Sequence, residues 1–513
     1  MKRYFLLIII LLNSLSSNAQ EIGLDQRIDE AFQPISDIFS KYVFYPVSLP
    51  FGDYPFVIYF LVGSAFFFTI YFVFPNIRYL MTAINVVRGK YDKIEKTSSD
   101  QNDGEVSHFQ ALATAVSGTV GNGNIAGVAL AIALGGPGAT FWMIVCGLLG
   151  MSTKFVECTL GVYFRDVDED GIVYGGPMYY ISKGLKSKGF KTLGTIAASL
   201  FAIFCIGGSF GGGNAAQSNQ ATIVIKSLFG YESTFAGAVI GIILAILVGI
   251  IIIGGIKRIA SVTEKIVPFM ALLYILACIY ILLVNFSFID DAVALIIKEA
   301  FNPSAIGAGG IIGVLMIGFQ RAAFSNEAGA GSASIAHSAV KTKYAASEGL
   351  VALLEPFIDT VVICTMTALV IITFNSTGAF VYGGDGMGGV LIDGVVYEGA
   401  GITQKAFAEY IPGSDIFLTI AVVLFAVSTM ISWSYYGLQS WKFLFGRGKA
   451  ADLTYKILFL VFVVIGAAAS MNSIWAFSDA MIFAMVFPNM IGLYFLFPIV
   501  KQELKKYLQA IKK

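Results

Sequence analysis

Stretches of roughly 20 predominantly apolar residues recur along the chain, near 54–76, 109–134, 139–164, 192–222, 234–256, 262–285, 306–334, 347–374, 415–440, 454–471 and 473–500. Each is long enough for an α-helix to cross the roughly 30 Å hydrocarbon core of a bilayer. Two of these eleven runs are interrupted. The second contains GTVGNGNIAG at 118–127 and the seventh FSNEAGAGSASIAH at 324–337. Glycine leaves the helical conformation at little steric cost, and asparagine hydrogen-bonds nearby backbone. In hydrocarbon, broken backbone is tolerated only where it is buried in protein or lines a wet cavity. The pattern therefore predicts an all-α polytopic membrane protein with a site at each interruption.

The two interrupted runs align without gaps. FQALATAVSGTVGNGNIA (109–126) and FQRAAFSNEAGAGSASIA (319–336) share Phe109/Phe319, Gln110/Gln320, Ala113/Ala323, Gly121/Gly331, Ile125/Ile335 and Ala126/Ala336. Five spans separate them, so they cross the bilayer in opposite directions. Spans two to six and seven to eleven then read as two five-helix units of inverted orientation, the architecture of many secondary transporters. The expected organisation is a signal peptide at 1–19, an extracytoplasmic segment at 20–53, and a peripheral helix with its cytoplasmic loop at 54–107. The repeats follow at 108–285 and 286–500, with a cytoplasmic tail at 501–513.

Composition agrees with this reading: of 513 residues, 57% are hydrophobic and 13% charged, too apolar for a soluble core of this length. The start MKRYFLLIIILLNSLSSNAQ has a basic head, a short apolar run and small residues before Gln20, the features of a cleaved secretory signal. Basic residues concentrate after the first, third, fifth, seventh and ninth spans and in the tail KQELKKYLQAIKK. Positive loops stay inside, which predicts an outer amino terminus and a cytoplasmic carboxyl terminus in the plasma (inner) membrane. The net charge is zero and no basic patch interleaves with aromatics, so nucleic acid is excluded as a partner. Cys146, Cys158, Cys205, Cys278 and Cys364 all fall in apolar runs without metal-ligand spacing and read as packing residues.

The segments TVGNGNIAGVALAIALGGPGATFWM, YGGPMYYI (174–181), FSNEAGAGSASIAH and SWSYYG (432–437) together resemble the alanine/glycine:cation symporter family, within the amino acid–polyamine–organocation superfamily. The resemblance runs through nearly the whole chain after about residue 50, in the family's order; the amino-terminal signal peptide departs from the pattern. It implies the five-plus-five inverted-repeat sodium-symporter fold with one extra amino-terminal helix, sodium as coupling ion without an organic cofactor, and alanine or glycine as cargo.

In that fold a sodium site lies between the first interrupted helix and the eighth helix of the core, here the ninth span. The resemblance thus implies backbone oxygens of Thr119, Val120 and Gly121 facing the hydroxyls of Ser428 and Thr429, and sodium, like other hard cations, prefers oxygen ligands. Buried hydroxyls also bond back to their own helix, which remains the structural alternative for Ser428 and Thr429. Substrate contacts are expected from Thr119, Asn122, Asn124, Phe324, Ser325 and Asn326 at the interruptions, from Gln217, and from Trp433 as the wall of a small side-chain pocket. An interfacial aromatic is the alternative for Trp433. Charges inside spans are expensive and usually paired. Lys154 and Glu157 are three apart, Glu355 and Asp359 four apart, and Arg321 and Glu327 share the seventh run, so a coupling role and a structural network stay open for these groups.

An enzyme would need a nucleophile, base or metal cluster. Only two histidines occur, His108 and His337, and the acidic run DVDED (166–170) has no partner run, so a transferase is not supported. A proton-coupled carrier and a non-transporting amino-acid sensor of the same fold remain as alternatives, and no protein partner is evident.

Overall fold

The computed structural model describes residues 24–49, 52–95, 104–230, 235–303 and 310–512. The expected signal peptide lies outside them. Among the described residues, seven helices are long and apolar enough to cross a membrane: Gly138–Tyr163, Lys191–Phe229, Gly255–Val284, Ala345–Thr377, Ser414–Phe445, Lys449–Ala468 and Met471–Ala510. An eighth span is a bent pair, His108–Thr119 and Gly123–Gly135, whose halves meet at 50°. Two shorter apolar helices, Phe56–Tyr71 and Ala236–Ile252, coincide with predicted runs, as does Gly310–Asn326.

Apolar residues face outward as well as inward. Val239, Ile242, Ile243 and Ile246 on one helix and Phe269, Leu272, Leu276 and Leu283 on the next are exposed, while Asn122, Asn124, Lys154, Glu157 and Glu355 are buried. That inversion of a soluble protein's pattern suits a lipid surroundings with polar function inside.

The two interrupted helices lie antiparallel. Glu105 N donates to Ala339 O at 2.7 Å and Lys341 N to Val106 O at 2.8 Å, tying the start of the first to the end of the second. Arg165 fastens the same corner, donating to the carbonyls of Ser338 (2.8 Å), Val340 (2.5 Å) and Thr342 (3.1 Å). At the other end Val128–Gly135 packs along Gly310–Asn326. The opposite directions expected of the two motifs are thus realised in the fold.

π-helical turns interrupt three helices, at Gly123–Gly127, Gly211–Ala215 and Phe357–Cys364. Such turns widen the helix by one residue and recur at functional sites. Gly213 illustrates why the second is glycine-rich: a Cβ there would run into the Trp433 ring.

The segment before the first span is an amphipathic helix, Leu24–Val43. It packs on Met471–Ala510, with Phe32 edge-on to Phe477 at 5.1 Å and Ser36 Oγ donating to Ser473 O at 2.9 Å.

Candidate functional site

The first interruption is held open by side chains. Gly121 N donates to Asn124 Oδ1 at 2.9 Å and Asn122 N to Gln217 Oε1 at 3.0 Å, so neither continues the helical ladder. Ser117 O accepts instead from Thr429 Oγ1 at 3.0 Å, and Ser117 Oγ donates to Ser428 O at 2.8 Å. Gly121 is required here, because a Cβ would collide with the Thr429 hydroxyl. Buried backbone groups that lose a helical partner must find another; Asn124, Gln217 and Thr429 provide it.

The second interruption begins after Asn326, whose Oδ1 accepts from Ala328 N at 3.0 Å and whose Nδ2 donates to Thr360 Oγ1 at 2.9 Å. Glu327 follows in the left-handed region at φ 56°, unusual for a side chain of its size. Both interruptions then meet at one group. Asp359 accepts from Asn124 Nδ2 at 2.6 Å and from Ser325 Oγ at 2.9 Å, with Thr360 Oγ1 at 2.7 Å completing its shell.

Between the interruptions is a narrow cavity of about 10 Å³, lined by Gly118, Thr119, Gly123, Gly212, Gln217, Phe324, Ser325, Glu327, Thr429, Trp433 and Ile482. That is about the room a single water needs, far below the roughly 300–1,000 Å³ of pockets for drug-sized ligands. Six residues singled out from the sequence therefore border it: Thr119, Gln217, Phe324, Ser325, Thr429 and Trp433. Trp433 is 1% exposed and sits in the cavity wall, not at an interface. Phe324 stacks on Trp475 with ring centroids 4.9 Å apart, and the Arg321 guanidinium lies over both rings.

The other expected residues stand behind the wall. Asn124 is spent on Gly121 and Asp359, and Asn326 on Ala328 and Thr360. Asn122 Nδ2 donates to Gln217 O at 3.2 Å, while its buried Oδ1 has no protein partner among the described residues. Val120 and Gly121 lie in the interruption beside Thr429, but Ser428 Oγ donates back to Phe425 O at 2.9 Å. Neighbours on a helix point about 100° apart, and here the two adjacent hydroxyls take different partners, Thr429 reaching Ser117 O and Ser428 its own helix.

The buried charges pair across helices. Lys154 Nζ meets Glu355 Oε1 at 2.9 Å instead of Glu157 on its own helix, and Glu157 Oε1 accepts from Asn489 Nδ2 at 2.7 Å. Arg321 pairs with Asp479, which also takes Gln320 Nε2 at 3.0 Å, and not with Glu327 or Glu355. The two histidines are joined through Glu348, which contacts His108 Nδ1 and, at 2.5 Å, His337 Nδ1. His108 Nε2 contacts Glu95 at 2.6 Å, and Tyr507 donates to the same carboxylate at 2.6 Å. Glu95, Glu348 and Asp479 escaped the sequence reading; the signal for the last two was an acid within an apolar run.

Two antiparallel interrupted helices around a closed central cavity, in a multi-pass helical protein, define a membrane carrier and not an enzyme. The sodium:alanine symporter family model matches residues 40–513, and the chain belongs to that family. The sodium/alanine symporter AgcS of Methanococcus maripaludis is 42% identical over 418 residues, 81% of this chain and 87% of its own. The probable sodium/glutamine symporter GlnT of Bacillus subtilis is 33% identical over 441 residues, 86% of this chain and 85% of its own. The fold is similar to that of a mutant manganese transporter from Eremococcus coleocola, with a TM-score of 0.51 and 13% identity, covering 77% of this chain and 82% of that one. Both of these relatives are named as sodium-coupled amino-acid symporters, the second as a probable one.

Proposed function

We infer that this protein is a sodium-coupled symporter that imports alanine, glycine or a similarly small neutral amino acid by alternating access. Its amino terminus lies outside the plasma (inner) membrane and its tail in the cytoplasm. The observation that carries this reading is the small cavity between two interrupted helices, closed by the Trp433 indole. A zwitterion there meets hydroxyls from Thr119 and Ser325 and the amide of Gln217, while the indole leaves little room for a side chain. Sodium is held by the backbone oxygens of Thr119, Val120 and Gly121 with the Thr429 hydroxyl, the hard donor set such an ion prefers. Ser428 contributes through Ser117, which its carbonyl positions, and not through its own hydroxyl.

Purified protein in liposomes tests this. An inward sodium gradient is expected to drive accumulation of labelled alanine or glycine, and replacing external sodium by choline at fixed pH to abolish it. Accumulation that follows a proton gradient and ignores sodium would establish the proton-coupled alternative; binding without accumulation would establish a sensor.

A further inference from the structure

Glu327 is the first residue beyond the helix Gly310–Asn326 and adopts a left-handed backbone at φ 56°. A non-glycine residue held there stores strain that the surroundings must justify, and such positions cluster at functional sites. The strain turns its carboxylate into the cavity wall. Oε1 accepts from Trp433 Nε1 at 2.8 Å and Oε2 from Ser332 Oγ. The residue is 2% exposed.

No cation of the protein is in direct contact with it among the described residues, although Lys154 lies near enough to act on it through space. Lys154 is engaged by Glu355, Arg321 by Asp479, and both histidines by Glu348. A buried carboxylate is costly unless a cation pairs with it. The surrounding backbone adds to the demand: the helices His108–Thr119 and Gly310–Asn326 both end at the cavity, and helix carboxyl ends carry partial negative charge. Two neutral donors fix the orientation of the carboxylate and leave lone pairs free toward the cavity.

We propose that Glu327 is the cation anchor of the central cavity, pairing with a monovalent cation that enters with each transport cycle: the ammonium of the amino acid or a coupling sodium ion. The proposal rests on the symporter reading above and names the group of this chain that neutralises the incoming positive charge. Trp433 then has a second task, since the indole that limits cargo size also positions the anchor. The opposite end of a zwitterion then faces Gln217 and Gly123 across the cavity.

Glu327→Gln tests this in the full-length protein. Glutamine keeps the shape and both hydrogen bonds and removes only the charge. Thermal unfolding in detergent, with sodium chloride or choline chloride and with or without alanine, reads both ligands. In the unsubstituted protein, stabilisation by alanine in sodium is expected; its absence would fail the symporter reading itself. In Glu327→Gln, at least a tenfold weaker alanine response with intact stabilisation by sodium alone identifies the ammonium, and at least a tenfold weaker sodium response identifies sodium. Responses to both ligands equal to those of the unsubstituted protein would overturn the proposal, because a carboxyl already protonated is mimicked by the amide. Glu327→Asp keeps the charge with a shorter reach and is expected to bind between the two. If the glutamine variant is not recovered folded, Glu327→Ala, which also removes the charge, takes its place, and responses to both ligands equal to those of the unsubstituted protein would overturn the proposal equally.

Discussion

Thr429 and Trp433 stand one turn apart on the same face of Ser414–Phe445, and their chemistry divides the two expected ligands between them. The Thr429 hydroxyl reaches Ser117 O across the interruption at 3.0 Å. A net hydrogen bond is worth about 1 kcal/mol, so Thr429→Ala is expected to raise the sodium concentration for half-maximal uptake about five- to tenfold. Sodium titration of alanine uptake measures this, and Ser428→Ala is expected to shift it much less, since its hydroxyl bonds to its own helix. Trp433→Ala opens the pocket, so competition by larger neutral amino acids is expected to appear where the unsubstituted protein shows none. The same truncation is expected to cost about 3–5 kcal/mol of stability, readable as a lower thermal midpoint. Chemistry at this scale was legible in residue type but not in direction. Two adjacent hydroxyls look equivalent in a string of letters, and only their angle about the helix axis separates them.

At the scale of elements, the interruptions are joined by side chains from a third helix. Asp359 sits in the π-helical turn Phe357–Cys364 and takes bonds from both motifs. The interruptions were marked by asparagine beside glycine, since close helix packing accounts for glycines in an apolar run but not for Asn122 and Asn124 among them. Their partners were not readable, since Asn124 and Asp359 are 235 residues apart and local pattern carries no information over that distance. The ion pairs show the same limit: proximity in sequence suggested Lys154 with Glu157, and packing brought Glu355 to the lysine instead. Away from the cavity, the chain of contacts Glu95–His108–Glu348–His337 ties the near ends of the two interrupted helices. Removing one partner of a buried pair costs about 3–5 kcal/mol. Glu348→Gln is therefore expected to lower the thermal midpoint strongly while the folded fraction keeps its alanine affinity, measured by binding at a temperature below the transition.

For the whole molecule, the apolar runs overlap helices among the described residues, and seven of those helices, or eight with the bent pair, are long and apolar enough to cross a membrane, because hydrocarbon permits few alternatives. The helix Leu24–Val43 was missed: its apolar residues form one stripe that packs on Met471–Ala510, too short a signal to stand out from a polar segment. The orientation expected from the basic loops is open to direct measurement, since all five native cysteines are buried. In intact cells, a cysteine at Val381 is expected to react with a membrane-impermeant maleimide, and one at Lys449 only after the membrane is opened.

The interruptions rest on side chains, and this bears on how the cargo can change. Gln217, Asn124 and Thr429 satisfy the broken backbone, whereas Trp433 and Phe324 shape the space beside it. Gln217 and Thr429 border the cavity as well as closing the backbone, so they are the costly positions to change; Trp433 and Phe324 are where substitution could recast the space for a different cargo while the interruptions keep their shape.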